Sequence, residues 1–190
     1  MSWNQETDEF WLGDFAVEKG GAIRGAKLVW QSHGALNAGR DNLILYPSAY
    51  GAQHADMTWL IGRDGILDPT RWFILVVNMF SNGLSSSAAD TPDYPRLVTV
   101  ADNVRAQHRL VAEHFGVERL AAVYGFSMGA MQAYHWAALF PAMVERPSSS
   151  AAPRGRRRTT RCSCPGCCAR SKPRPSIGAM GASRASRNWR

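Results

Sequence analysis

Three continuous apolar runs restrict most strongly what this chain can fold into. They span residues 42–46, 72–78 and 120–124, and the second, Trp72-Phe-Ile-Leu-Val-Val-Asn78, is rich in β-branched and aromatic residues. Apolar runs of this length, without polar alternation, are typical of parallel strands that are covered on both faces. A more alternating segment upstream, residues 27–31, predicts an outer, antiparallel strand.

Helical patterns lie between and after these runs. Residues 100–115 place apolar side chains at helical spacing with charged residues between them, and Gly116 follows as a C-terminal cap. Residues 128–139 are apolar nearly all round, which predicts a helix that is buried on most sides. The alternation of strands and helices predicts an α/β fold with a mostly parallel sheet and flanking helices. The loop over residues 78–95 is long enough to be functional, although a mere connector fits it equally well.

The charge is divided unevenly along the 190 residues. Residues 1–146 hold 11 basic and 15 acidic residues, a net charge of −4, whereas residues 147–190 hold 11 basic residues and no acid. The second segment has only three large apolar residues, so it cannot bury enough surface to offset the entropy of ordering. The sequence therefore predicts a partial α/β domain over residues 1–146 and a basic, disordered tail over residues 147–190.

The tail admits three interpretations. Its mixture of Arg, Ser, Pro, Ala, Gly and Cys is what GC-rich DNA encodes out of frame, so a frameshift product is the first. A basic arm that binds polyanions without sequence preference is the second. A zinc site is the third, but its spacing is cramped and lacks paired C-x-x-C arms, so no metal is predicted. The four thiols concerned are those of Cys162, Cys164, Cys167 and Cys168.

The sequence shows no signal for a membrane. No run of 18 apolar residues exists, and the first 15 residues carry four acids and no basic residue. We therefore expect a cytoplasmic protein with a small-molecule substrate, no membrane partner and no specific nucleic-acid partner.

The residues that indicate chemistry follow the third apolar run. Gly125-Phe-Ser-Met-Gly129 fits the G-x-S-x-G pattern, and it stands between an apolar strand and an apolar helix, as a nucleophile elbow requires. In such a turn, Ser127 is the nucleophile, and the backbone N–H of Met128 lies free at a helix N-terminus, where it can stabilise an oxyanion. The alternative is an accidental glycine turn in which Ser127 caps the helix.

Several segments resemble one family in order. Gly-Phe-Ser-Met-Gly-Ala-Met-Gln-Ala, over residues 125–133, is similar to the nucleophile region of the homoserine O-acetyltransferase family, which has the α/β-hydrolase fold. The resemblance covers about residues 25–146, the N-terminal half of that family. The other similar segments are Gly34-Ala-Leu-Asn37, Tyr46-Pro-Ser-Ala-Tyr-Gly-Ala-Gln-His54, Asp68-Pro-Thr-Arg-Trp-Phe73 and Val104-Arg-Ala-Gln107.

The resemblance implies acyl transfer through an acyl-Ser127 intermediate, with acetyl-CoA as donor, an alcohol as acceptor and no bound cofactor. It places the second oxyanion N–H at Ala49 and implies a homodimer. Phe126 and Ala130 replace glycines of the family's elbow, and the loop after Asn78 also departs from its pattern. A serine-dependent hydrolase of the esterase or thioesterase type is therefore the alternative.

The partners of the nucleophile are missing from the pattern. In this fold the acid and the histidine follow the serine, yet the chain has only Glu145 and His135 after Ser127. His135 is eight residues along the same helix, about 12 Å away, and a base must lie within hydrogen-bond reach. His54, near the oxyanion loop, is the nearest stand-in base.

These gaps lead to three further expectations. The chain is truncated and inactive, the strand that ends at Tyr124 leaves an unpaired apolar edge, and a non-catalytic relic with a polyanion-binding tail is a further alternative.

Overall fold

The computed structural model describes residues 3–144 and 147–150, with side chains for residues 3–144. Six strands form one sheet in the order β1-β2-β4-β3-β5-β6. The first two strands run antiparallel to their neighbours, and the other four are mutually parallel. The predicted α/β class is therefore confirmed. The strands are β1 (Gln5–Ala16), β2 (Ala22–His33), β3 (Leu43–Pro47), β4 (Phe73–Val77), β5 (Ala122–Phe126) and β6 (Pro147–Ser150).

The two predicted helices are present. Helix α1 (Val100–Arg109) continues as a π-helical segment (Leu110–His114), and Gly116 follows with a positive φ of 60°, as a C-terminal cap requires. Helix α2 (Met128–Leu139) has the predicted bounds but is less enclosed than expected, since Tyr134 is 51% exposed. Only the side of α2 that carries Ala133 and Trp136 is packed into the core. A short 3₁₀-helix (His54–Leu60), which the sequence did not indicate, follows β3.

Strand β2 is not the outer strand that its alternation predicted. The twelve-residue β1 pairs along it in antiparallel register, from Gln5 opposite His33 to Ala16 opposite Ala22. Strand β1 escaped prediction because its side chains are mostly exposed and three of its first five residues are acidic. Only Leu12 and Phe15 of this strand are buried, which is too few to produce a recognisable apolar period.

Strand β5 runs through Gly125 to Phe126, two residues further than predicted, and its outer edge is occupied. Residues 147–150 form β6 and pair in parallel with residues 123–126. The expected unpaired edge at β5 is therefore wrong, because the first residues of the basic segment supply the missing ladder partners. The rest of that segment, residues 151–190 with all four cysteines, lies outside the described residues, so its predicted disorder stays a prediction.

Apolar side chains pack on both faces of the sheet. One face meets α1 and α2 through residues such as Leu45, Leu75 and Trp136. The other face carries Tyr46 and Val76 and packs against Met57 of the 3₁₀-helix. The parallel strands thus read as continuous apolar runs because both of their faces are covered. No helix within the described part of the chain is long and apolar enough to cross a membrane.

The long loop over residues 78–95 completes the hydrogen bonding of β2. The Ser85 hydroxyl accepts from the Val29 N–H and the Ser86 hydroxyl from the Lys27 N–H, both at 2.9 Å. Both serines are buried. The connector interpretation therefore has a structural basis, since these hydroxyls bond amides of β2 beyond the stretch that pairs with β4.

Candidate active site

A tight turn joins β5 to α2 and raises Ser127 to the surface. Ser127 has φ 52° and ψ −124°, a backbone conformation that residues with a side chain rarely adopt, and it is exposed. Gly125 allows the turn, because a β-carbon there would overlap the backbone of Gly129. The sequence pattern and the local geometry agree on a strained serine between a strand and a helix.

The second glycine brings α2 against the loop that follows β3. A β-carbon on Gly129 would lie 2.6 Å from the carbonyl oxygen of Pro47. The absence of a side chain at this position therefore lets the first turn of α2 touch the loop with Ser48 and Ala49. Ser127 and the predicted second oxyanion donor thus stand on two elements that are in direct contact.

The hydroxyl of Ser127 does not cap α2, so the alternative of a capping serine is wrong. Its side chain makes no cap hydrogen bond; instead, its backbone carbonyl accepts from the N–H groups of Ala130 and Met131, at 3.0 and 3.2 Å. The hydroxyl has no hydrogen-bond partner among residues 3–144. The N–H of Met128, the first residue of α2, also has none there, as expected for the first turn of a helix. The positive end of the helix dipole also lies at this N–H, where it favours negative charge.

The loop after β3 is held at three atoms of Ser48. Its N–H donates to the Val77 carbonyl at 2.9 Å, its hydroxyl accepts from the Met79 N–H at 3.0 Å, and its carbonyl accepts from the Gln132 side chain at 3.0 Å. Ala49 is 6% exposed. Its N–H has no hydrogen-bond partner within residues 3–144, so it remains available to a ligand.

His54 is tied to Asn78 and cannot act as the stand-in base in this arrangement. The backbone N–H of His54 donates to Asn78 Oδ1, and Asn78 Nδ2 donates to the ring nitrogen Nδ1 of His54, both at 2.9 Å. The same Nδ2 donates to the Val29 carbonyl, which fixes the amide orientation. The lone pair on Nδ1 is therefore occupied, and in neutral His54 the proton lies on Nε2. Burial lowers the pKa of His54.

The other histidines have structural surroundings. His135 is half-buried and its Nδ1 donates to the Met131 carbonyl of its own helix at 2.9 Å, as expected for a helix residue that is not the base. His108 stacks on Phe140 with ring centroids 4.0 Å apart. His33 is buried against Gln31 and His114 packs on Trp30. Within residues 3–144 no histidine is hydrogen-bonded to Ser127, and Glu145 lies outside the described residues.

Aromatic residues adjoin Ser127 and Ala49 along the chain. Phe126, the residue before Ser127, meets Trp59 of the 3₁₀-helix edge to face, with ring centroids 5.7 Å apart. Trp59 is 66% exposed, and Tyr50, next to Ala49, is 81% exposed.

No metal centre accompanies these groups in the part of the chain that is described. Residues 3–144 contain no cluster of three or more His, Cys, Asp or Glu side chains that could hold a metal ion. The four cysteines of the zinc-site interpretation of the tail lie outside that part.

Comparison with known proteins agrees with this architecture. The family described as alpha/beta hydrolase fold matches residues 60–150. The chain is 42% identical over 147 residues to the ethyl acetate hydrolase of Pseudomonas veronii, covering 74% of this chain and 42% of that protein. It is 34% identical over 163 residues to the homoserine O-acetyltransferase of Leifsonia xyli, covering 75% and 40%. An acetylester hydrolase structure from Corynebacterium glutamicum superposes with a TM-score of 0.71 at 38% identity, covering 77% of this chain and 45% of that one.

These findings define the class of protein. The chain has the α/β-hydrolase fold, and its predicted resemblance to the N-terminal half of the homoserine O-acetyltransferase family is confirmed. It is at least as similar to esterases of the same fold. The chain spans about 42% of the length of the curated relatives that it matches.

Sequence reasoning missed three residues of the site. Asn78 and Trp59 gave no local signal, because their partners are distant in the sequence. Gln132 did give one, since it is a polar residue in an otherwise apolar helix and proves fully buried. A buried amide must find hydrogen-bond partners, so its position alone pointed to a contact beyond the helix.

Proposed function

We propose that this chain carries the nucleophile and the oxyanion hole of an acyl-ester enzyme. Ser127 Oγ attacks the carbonyl carbon of an ester or thioester and gives up its proton to a base from solution, such as imidazole, which then protonates the leaving alcohol or thiol. The bond to the leaving alcohol or thiol then breaks, leaving acyl-Ser127, which passes its acyl group to water or to another alcohol. The N–H groups of Met128 and Ala49 stabilise the oxyanion that forms in each step. One observation supports this proposal most directly: Ser127 is exposed at the start of α2, has a strained backbone, and has a hydroxyl that does not cap the helix.

Water is the acceptor that we favour, which makes the reaction ester hydrolysis. The ethyl acetate hydrolase is 42% identical to this chain, against 34% for the homoserine O-acetyltransferase. In addition, Phe126 stands where the acetyltransferases carry a glycine, and its contact with Trp59 makes the neighbouring surface apolar. Such a surface suits the small alkyl group of a simple ester better than the charged groups of an amino-acid alcohol.

Acyl transfer from acetyl-CoA to an alcohol is the second candidate. It is supported by the ordered set of motifs over residues 25–146 that this chain shares with the acetyltransferases. Both candidates use the same acyl-Ser127 intermediate and differ only in the group that accepts the acyl chain.

Turnover by this chain is expected to be slow. No histidine within residues 3–144 is hydrogen-bonded to Ser127, and a serine without a general base is a weak nucleophile. A soluble base with the strength of a histidine side chain, such as imidazole, should therefore accelerate the reaction. The predicted inactivity becomes a quantitative expectation: little turnover in plain buffer, and more when imidazole is present.

The test measures release of p-nitrophenol from p-nitrophenyl acetate, with and without imidazole. It compares the full chain with Ser127→Ala and with Ser81→Ala. Ser81 is a matched control because it is also exposed and also has a positive φ, 67°, but lies in the loop after β4. We expect imidazole to raise the rate of the full chain and of Ser81→Ala above that of Ser127→Ala. Equal rates for all three proteins at every imidazole concentration would contradict the proposal.

The acceptor is tested by analysing products. With acetyl-CoA as donor and homoserine or another alcohol present, hydrolysis yields acetate, whereas transfer yields the acetyl ester of the alcohol. A predominance of Ser127-dependent ester product would favour the acetyltransferase candidate over the hydrolase.

A further inference from the structure

A buried chain of three side chains connects α1, α2 and the loop after β3. Trp136 Nε1 donates to Gln107 Oε1 at 2.8 Å, Gln107 Nε2 donates to Gln132 Oε1 at 2.5 Å, and Gln132 Nε2 donates to the Ser48 carbonyl at 3.0 Å. All four residues are essentially inaccessible to water. Such hydrogen bonds are costly to break, because each buried group has no water to replace its partner.

The direction of this chain is fixed at the tryptophan. An indole N–H can only donate, so Gln107 must turn its oxygen towards Trp136 and its NH₂ towards Gln132. Gln132 must then present its oxygen to Gln107 and its NH₂ to Ser48. The orientation of both amides thus follows from one donor-only group, and the result is an N–H aimed at the carbonyl of Ser48.

The carbonyl of Ser48 and the N–H of Ala49 belong to the same peptide unit. A trans peptide is planar, and its C=O and N–H point in opposite directions. A bond that holds the Ser48 oxygen towards Gln132 therefore also fixes the direction of the Ala49 N–H, away from the Gln132 side chain. The other two bonds of Ser48, to Val77 and Met79, hold the preceding backbone in place.

We propose that Gln132 is a positioning residue for the second oxyanion donor, the N–H of Ala49. Its hydrogen bond to the Ser48 carbonyl fixes the orientation of the peptide unit that carries this N–H. The inference rests on the proposed function of Ser127. It adds that α2 supplies the nucleophile and the Met128 N–H at its first turn, and orients the remaining donor through Gln132 one turn later. Gln107 and Trp136 act behind Gln132 and keep its amide from flipping.

The test measures how fast a fluorophosphonate modifies Ser127 in the full chain, with imidazole present. The phosphonyl group mimics the tetrahedral intermediate, so its oxygen needs both donors. Gln132→Met keeps the size of the side chain and removes the donor to Ser48. We expect a rate about 10-fold to about 100-fold lower, short of the loss typical when a donor is removed outright.

Gln31→Met is the matched control. Gln31 is also buried, and its amide also makes two side-chain hydrogen bonds, to Thr7 and His33, but it lies on β2. It should lower the unfolding temperature without slowing the modification. Trp136→Phe is a milder variant, because it removes only the N–H that orients the amides, and should give a smaller loss of rate in a folded protein.

Gln132→Glu supplies a signature that a merely structural role would not show. Once ionised, the new carboxylate faces the Ser48 carbonyl without a proton to donate, whereas the protonated acid keeps a donor; because burial raises the pKa of such a carboxyl, ionisation requires a pH above the usual range of a glutamate. The modification rate relative to the unaltered chain should therefore recover as the pH falls. A folded Gln132→Met protein that reacts at the unaltered rate overturns the inference while leaving Ser127 as the nucleophile.

Absence of Ser127 modification in the unaltered chain would overturn the proposed function instead. The hydrogen bond from Gln132 to Ser48 is then tested in the same protein by NMR, through the scalar coupling between Gln132 Nε2 and the Ser48 carbonyl carbon. We expect this coupling to be present, and its absence would refute the inference independently.

Discussion

Gly129 lies so close to Pro47 that a β-carbon on Gly129 would stand 2.6 Å from the Pro47 carbonyl oxygen. Gly129→Ala must therefore push α2 away from the loop after β3. We expect a loss of about 1–3 kcal/mol in the free energy of unfolding, as for other overpacked interiors, and slower modification of Ser127. Urea unfolding measures the first effect. Gly62→Ala is the control, because a β-carbon there meets nothing within 4 Å, and equal losses in both variants would contradict the predicted contact.

The backbone of Ser127 stores strain that glycine would relieve. At φ 52° and ψ −124° a side chain is disfavoured, whereas glycine adopts this region freely. We expect Ser127→Gly to be more stable than Ser127→Ala by about 1–3 kcal/mol, while neither variant is modified by a fluorophosphonate. Thermal unfolding of the two variants side by side provides the measurement. If the alanine variant proves as stable as the glycine variant, Ser127 is not strained.

The free energy of unfolding should fall as the pH is lowered below the pKa of an ordinary histidine, in part because of His33. Its Nδ1 accepts from Trp3 Nε1 at 3.2 Å, and its Nε2 lies 3.0 Å from Gln31 Oε1, so the ring is neutral. Burial lowers the pKa of His33 from 6.5, and the nearby charge of His54 lowers it further. The unfolded chain therefore binds more protons than the folded chain below about pH 6.5, and stability is lost as the pH falls towards the lowered value.

Urea unfolding between pH 7.5 and pH 5 measures this dependence. His54 and His108, whose pKa values are also lowered by burial, contribute to the same slope. His33→Gln should make the slope shallower, by up to about 1.4 kcal/mol per pH unit for one proton. An unchanged slope in His33→Gln would show that His33 titrates alike in the folded and unfolded chains.

The sequence predicted the centre of the sheet and the turn that carries Ser127, because both follow from local patterns. Continuous apolar runs mark β3, β4 and β5, since β3 and β4 are buried on both faces and β5 is buried on one face and half-buried on the other. The turn could also be predicted, because its pattern is local and Gly125 is required by a contact with Gly129, four residues away, although Gly129 itself is required by the distant Pro47.

The parts that escaped prediction depend on contacts between distant residues. Strand β1 has no apolar period, and β6 begins in a segment whose composition argued against order. The hydrogen bond from Gln132 to Ser48 joins residues 84 positions apart, and that from Asn78 to His54 spans 24. Composition and spacing cannot reveal such pairings, and the fold brings them together only when the sheet is assembled.

The central claim, that Ser127 is the reactive nucleophile, is tested most directly by locating the adduct of a fluorophosphonate. The full chain is incubated with the probe and imidazole, digested with trypsin and examined by mass spectrometry. Trypsin does not cleave the Arg146–Pro147 bond, so the peptide that follows Arg119 extends to Arg154 and contains four serines, Ser127, Ser148, Ser149 and Ser150; fragment ions therefore assign the adduct to one of them. We predict one phosphonyl group on this peptide and none on the same peptide from Ser127→Ala. An adduct that appears only on other peptides, or that persists when Ser127 is replaced, would contradict the claim.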